Sequence, residues 1–239
     1  MFETNHFIWI AISVAFVAFM LLIGAKKNLS LKGAGYIMSA ICVLSETSKI
    51  MSDMTESSAG GRVLDPRSLP FHLCSMMLFG VFFITFAKDG KAKDTVIDFI
   101  AVMGTLGSIC AILIPTNGTD FSSILSYQCF VYHAGLLWFS LYLIVSKNAR
   151  LGLRSYLKNV AVLLSLVLAM LYVNSILSQY NTNFMYLVRP PMKNLPFLNL
   201  NSGWYVYFMH VLSLGAALVS LFHLPFIIGE GKKKGDKRS

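Results

Sequence analysis

The chain has 239 residues, of which 56% are hydrophobic and 13% charged, with a formal net charge of +9 and a mean hydropathy of +0.65. Soluble domains carry roughly 25% charged residues, so a water-soluble globular fold is excluded. The composition points instead to an all-α, polytopic membrane helix bundle.

A bilayer is crossed by about 20 mostly apolar residues. Seven such stretches run along the chain, at 7–23, 34–54, 70–87, 96–114, 124–145, 158–178 and 203–222. The first has no positive charge ahead of it, and Lys26 and Lys27 follow it, so it reads as a retained anchor rather than a signal peptide. The bundle is expected over 1–228, with a basic, disordered tail over 229–239.

Fifteen of the twenty Lys and Arg residues fall in the loops after the first, third and fifth stretches and in the tail. Four fall on the other side: Arg62, Arg67, Arg189 and Lys193. The positive-inside bias then places the N-terminus outside and the C-terminus in the cytoplasm of a cell-membrane protein. Because the charge follows topology, it does not imply a nucleic-acid partner.

The second stretch carries Ser39, Cys42, Glu46, Lys49 and Asp53 at spacings of three and four, which is one helix face. Ionisable groups in lipid point inward and pair. Glu46 and Lys49 either fix packing as an internal ion pair or line a wet cavity. In the fourth stretch, Gly104, Gly107, Ser108 and Ala111 permit close helix contact. Cys42, Cys74, Cys110 and Cys129 all fall in predicted helices, so no disulfide framework is expected.

The third stretch opens with SLPFHLCS, residues 68–75. Cys74 is either a small buried filler or a nucleophile. At a rise of 1.5 Å per residue, Cys74 lies about 7 Å below the outer surface, His133 about 15 Å, His210 about 10 Å and Asn174 about 6 Å. The imidazoles therefore share a leaflet with the thiol. His133 either bonds a backbone carbonyl or serves as base to Cys74. His72 and Cys74 are two residues apart, and on a regular helix they point to different faces.

LPFHLCS resembles the signature of the YwaF-like integral membrane family. GTLGSICAILIP, YQCFVYHAGLL, NTNFMYLVRPP and NSGWYVYF fit the same pattern, in order, from about Pro70 to Phe208. The resemblance implies a six- or seven-helix bundle. It also implies kinship with a eukaryotic branch regarded as phospholipid acyltransferases, whose cysteine nucleophile and helix-borne histidine correspond to Cys74 and His133. The fold is similar to that of the androgen-induced-gene lipid hydrolases, which use a threonine and a histidine.

The expected function is thus a lipid acyltransferase or lipid-ester hydrolase working through an acyl-enzyme thioester. Membrane lipids would be its substrates, with no cofactor and no metal. Oxyanion donors are sought among His72, Asn174, Asn183 and His210. Glu46 and Lys49 would orient His133 or hold a headgroup, and Arg189, Lys193, Trp204 and Tyr205 would hold lipid phosphate at the interface. The competing expectations are a seven-helix transporter or receptor built on the Glu46–Lys49 stripe, and a non-catalytic scaffold.

Overall fold

A computed structural model describes residues 3–56, 61–192, 195 and 197–235. Seven α-helices make up most of the chain: α1 (Thr4–Lys26), α2 (Leu31–Asp53), α3 (Leu73–Phe86), α4 (Lys91–Leu113), α5 (Ile124–Val145), α6 (Leu153–Ile176) and α7 (Trp204–Gly235). Between α2 and α3 lies a short antiparallel pair, β1 (Met54–Glu56) and β2 (Arg62–Leu64), in which Thr55 faces Val63. The helix α7 continues past residue 229, where the sequence led us to expect the start of the tail.

Five helices, α1, α4, α5, α6 and α7, are long and apolar enough to cross a membrane. The chain is a multi-pass helical membrane protein. Neither α2, with its Glu46, Lys49 and Asp53, nor α3, with 14 residues, is among the five. At 1.5 Å per residue α3 is about 21 Å long, short of the ~30 Å hydrocarbon core. The chain ahead of it, Leu69–His72, is not α-helical. Irregular backbone at membrane depth is tolerated where it is buried in protein or lines a cavity, and Leu69 and His72 line one.

The centre of the bundle is α4 against α5, with α1 and α2 on α5 and α3 on α4. Trp138, Phe139, Leu136 and Leu143 of α5 are fully buried. Small residues set these distances. A Cβ added at Gly35 would overlap the Thr85 side chain between α2 and α3, and one at Gly104 would overlap Ser140 Oγ between α4 and α5. Such contacts are how helices gain packing energy in lipid, where the hydrophobic effect gives them none.

The outer pair, α6 and α7, is tied in by a polar knot. Asp98 Oδ1 accepts from the Arg150 backbone N–H (2.7 Å), Asn159 Nδ2 donates to Asp98 O (3.3 Å), and Asn159 Nδ2 lies 3.1 Å from His223 Nε2. This links α4, α6 and α7 and anchors the loop between α5 and α6. The remaining faces of α6 and α7 present Leu164, Leu168, Leu214 and Leu221 outward, as expected of lipid-facing helices.

Candidate functional site

Four helix ends converge on a cavity of about 490 Å³: the C-terminal ends of α2 and α4 and the N-terminal ends of α3 and α5. Cys74 and His133 both line it, together with Cys110, Cys129, Tyr132, Gln128, Lys49, Asp53 and Arg67. It is of the size ordinarily found for small-ligand sites.

Cys74 is the second residue of α3, because the helix starts at Leu73 with His72 as its cap. Phe71 N–H bonds back to Leu69 O (2.8 Å), which turns the chain after Pro70 and delays the helix. His72 therefore lies ahead of the first helical residue. The two-residue spacing no longer sets it and Cys74 on opposite faces, and both line the cavity. The His72 side chain makes no capping bond, and the first amide to find an intrahelical partner is Met76 N–H, on His72 O (2.9 Å). The Cys74 and Ser75 amides thus stand among the first-turn donors that a helix leaves free.

Two contacts hold Cys74 in place. Tyr132 OH donates to Cys74 O (2.5 Å), and a Cβ added at Gly107 would lie 3.1 Å from Cys74 Sγ. The small residue on α4 leaves room for the sulfur. His133 Nδ1 lies 2.7 Å from Cys129 O, one turn back, and 3.6 Å from Cys129 Sγ. A carbonyl only accepts, so Nδ1 carries the proton and Nε2 of the neutral ring is the basic atom.

The ion pair of the α2 stripe is formed, with Lys49 Nζ 2.7 Å from Glu46 Oε1 and both side chains about one-sixth exposed. Lys49 lines the cavity, and Glu46 is one turn behind it. Arg67 also lines the cavity, with Nε donating to both Asp65 oxygens and one terminal nitrogen to Oδ2. Those hydrogen bonds hold the partly exposed Asp65 carboxyl below its ordinary value.

Other candidates are placed elsewhere. Asn174 Nδ2 donates to Phe184 O (3.0 Å) while its Oδ1 accepts from Phe184 N–H (2.8 Å). Asn183 Oδ1 accepts from the Val188 and Arg189 amides and its Nδ2 donates to Arg189 O. Both side-chain amides are spent on fixing the loop after α6, and neither lines the cavity. His210 Nδ1 donates to Phe197 O (2.7 Å), Trp204 Nε1 to Leu187 O (2.9 Å), and Arg189 to Asn181 Oδ1 and O. Tyr205 is exposed. Lys193 lies outside the described residues. Among the described residues no group of three or more His, Cys, Asp or Glu is placed to hold a metal ion.

Reading the sequence alone overlooked Arg67, Tyr132 and Tyr186 as cavity residues. Arg67 carried a signal, being the one cation immediately before SLPFHLC. Tyr132 and Tyr186 carried none, since aromatic residues are common throughout the chain.

The profile of the TMEM164 family matches residues 1–223, which is almost the whole chain. The chain belongs to the TMEM164 family. Comparison with curated proteins and with solved structures gives no match. The family match spans all of the cavity-lining residues of this TMEM164-family chain.

Proposed function

We propose that this TMEM164-family chain is a membrane-embedded acyl-transfer enzyme in which Cys74 is the nucleophile and His133 the base. The observation that carries the reading is the placement of both side chains on one cavity, with the thiol in the first turn of a helix and Nε2 of the imidazole left basic. The likeness of LPFHLCS and YQCFVYHAGLL to the YwaF-like family, and through it to a cysteine-dependent phospholipid acyltransferase branch, supports the same roles.

The reaction runs in two halves. His133 Nε2 takes the thiol proton as Cys74 Sγ attacks the carbonyl carbon of a lipid ester. The backbone amides at the start of α3 face negative charge favourably, and we assign them the oxyanion. The ester C–O bond breaks, the leaving alcohol takes the proton from His133, and a thioester remains. A second lipid hydroxyl, or water, resolves it by the same steps in reverse. Arg67 and Lys49, which line the same cavity as Cys74, suit the phosphate of a lipid headgroup.

All seven helices belong to the bundle in this reading, with α2 and α3 completing the passage beside the five long spans. The N-terminus is outside and the C-terminus cytoplasmic, and the cavity opens toward the outer leaflet of the cell membrane. The Lys and Arg distribution supports that orientation. The formed Glu46–Lys49 pair is compatible with a transporter, but a satisfied pair is also what simple packing produces.

The test is intact mass of protein purified from membranes, read before and after hydroxylamine. An acyl mass that hydroxylamine removes is expected on the native chain, absent in Cys74→Ala and depleted in His133→Ala. Native protein that never carries such a mass, even after incubation with phospholipid vesicles, defeats the assignment.

A further inference from the structure

The loop between α6 and α7 is built around two residues in a conformation that side chains disfavour. Met185 and Tyr186 both have φ of +55°, in the left-handed region that residues with a Cβ seldom adopt. Consecutive residues of this kind persist only where their surroundings over-determine them, and they concentrate at functional sites.

Four side chains restrain this segment. Asn174 grips both backbone groups of Phe184, just before the pair. Asn183 gathers Val188 and Arg189, just after it. Tyr207 OH donates to Tyr186 O (2.5 Å), and Trp204 Nε1 to Leu187 O. Phe184 and Leu187 are buried beneath the loop, whereas Met185 and Tyr186 line the cavity. The strained pair turns its own two side chains to the cavity while the flanking Phe184 and Leu187 stay in the core.

Tyr186 is directed to one particular place. Its ring centre is 5.0 Å from that of His72, the cap of α3, so it covers the end of the helix that carries Cys74. Its phenol belongs to the same cavity wall as Thr116, Cys74 and Cys129.

Resting on the acyl-transfer reading above, we infer that Tyr186 is a catalytic residue whose hydroxyl donates a hydrogen bond to the carbonyl oxygen of the acyl group as Cys74 attacks it. The hydroxyl and the first-turn amides of α3 then approach the developing oxyanion from two sides. No proton is transferred at this step. The phenol turns its O–H to the oxygen, and the charge falls back when the thioester forms. Asn174 and Asn183 are positioning residues, acting through the strap.

Two reagents for the same thiol separate this role from a structural one. A medium-chain p-nitrophenyl ester acylates Cys74 through a tetrahedral oxyanion. An alkyl iodoacetamide of the same chain length alkylates it by displacement, with no oxyanion. Tyr186→Phe, which keeps the ring against His72, is expected to slow ester acylation on the order of 10²-fold, as loss of one oxyanion donor does elsewhere, and to leave alkylation unchanged. Cys74→Ala sets the background for both reagents. A variant that slows both reactions together, or neither, overturns the assignment of Tyr186 while leaving the thioester chemistry standing. Native protein that is alkylated at Cys74 but never acylated by the ester overturns both.

Discussion

Two glycines on one turn of α4 offer a test of where the cavity ends and the packing core begins. A Cβ at Gly107 would meet only Cys74 Sγ, at 3.1 Å, whereas ordinary contact begins near 3.4 Å. The sulfur must therefore retreat by a few tenths of an ångström. If a misplacement of 1 Å costs about 10²-fold in rate, a shift of about 0.3–0.5 Å gives a 4- to 10-fold loss. Stability runs the other way, because alanine in a helix interior is favoured over glycine by about 0.8–1.0 kcal/mol. Gly104→Ala should behave oppositely. Its methyl would overlap Ser140 Oγ and lie 3.4 Å from Leu136 Cδ1, in the fully buried contact with α5. Overpacking of that kind costs about 1–3 kcal/mol, more than the helix gain on average. The assay is the rate of p-nitrophenyl ester acylation of Cys74, beside thermal unfolding in the same detergent. The expected pattern is a slower but somewhat more stable Gly107→Ala and a less stable Gly104→Ala. If Gly107→Ala acylates at the native rate, the Cys74 sulfur does not rest against α4 and the cavity geometry is wrong.

Asn174→Leu strips both partners from the buried Phe184 backbone, at about 1–3 kcal/mol for each group left unsatisfied. Stability should fall by about 2–6 kcal/mol, and a loss too small to measure would show that the strap is held by other means. Glu46→Gln or Lys49→Met leaves one charge unpaired within the bundle, at about 2–3 kcal/mol, below the ~3–5 of a fully buried pair. The double variant should lose less than the two singles together, and strict additivity in unfolding would mean the pair is not coupled. For pH, Asp65 is bonded to Arg67 and its carboxyl titrates below the ordinary ~3.9. The contribution of this pair is present above that ordinary value and lost as pH falls through the lowered one. It is small, because Arg67 is solvent-exposed and water screens the pair. Carboxyl NMR should show the Asp65 midpoint rising in Arg67→Gln, and a midpoint that stays put contradicts the pairing.

The sequence by itself determined the helices and their order. The run at 124–145 coincides with α5, and the ends of the other segments agree to within about five residues except at α7, which runs on to Gly235, because the demand for apolar length is local and additive along the chain. It also determined the Glu46–Lys49 pairing, since spacing on one helix fixes it. The start of α3 was less legible. Pro70 suggested a helix beginning there, but the turn from Leu69 to Phe71 moves the start to Leu73, and that shift brings His72 and Cys74 to the same cavity. Tertiary structure alone decided how Asn174 and Asn183 are used. An amide side chain advertises hydrogen-bonding capacity, and which backbone groups consume it depends on a loop folded back by contacts with α7. The same holds for Tyr186, whose left-handed backbone is imposed by restraints from Asn174 and Tyr207, outside its own turn. Local patterns specify what a segment is. Where its polar atoms point is set by partners that lie far away in the chain.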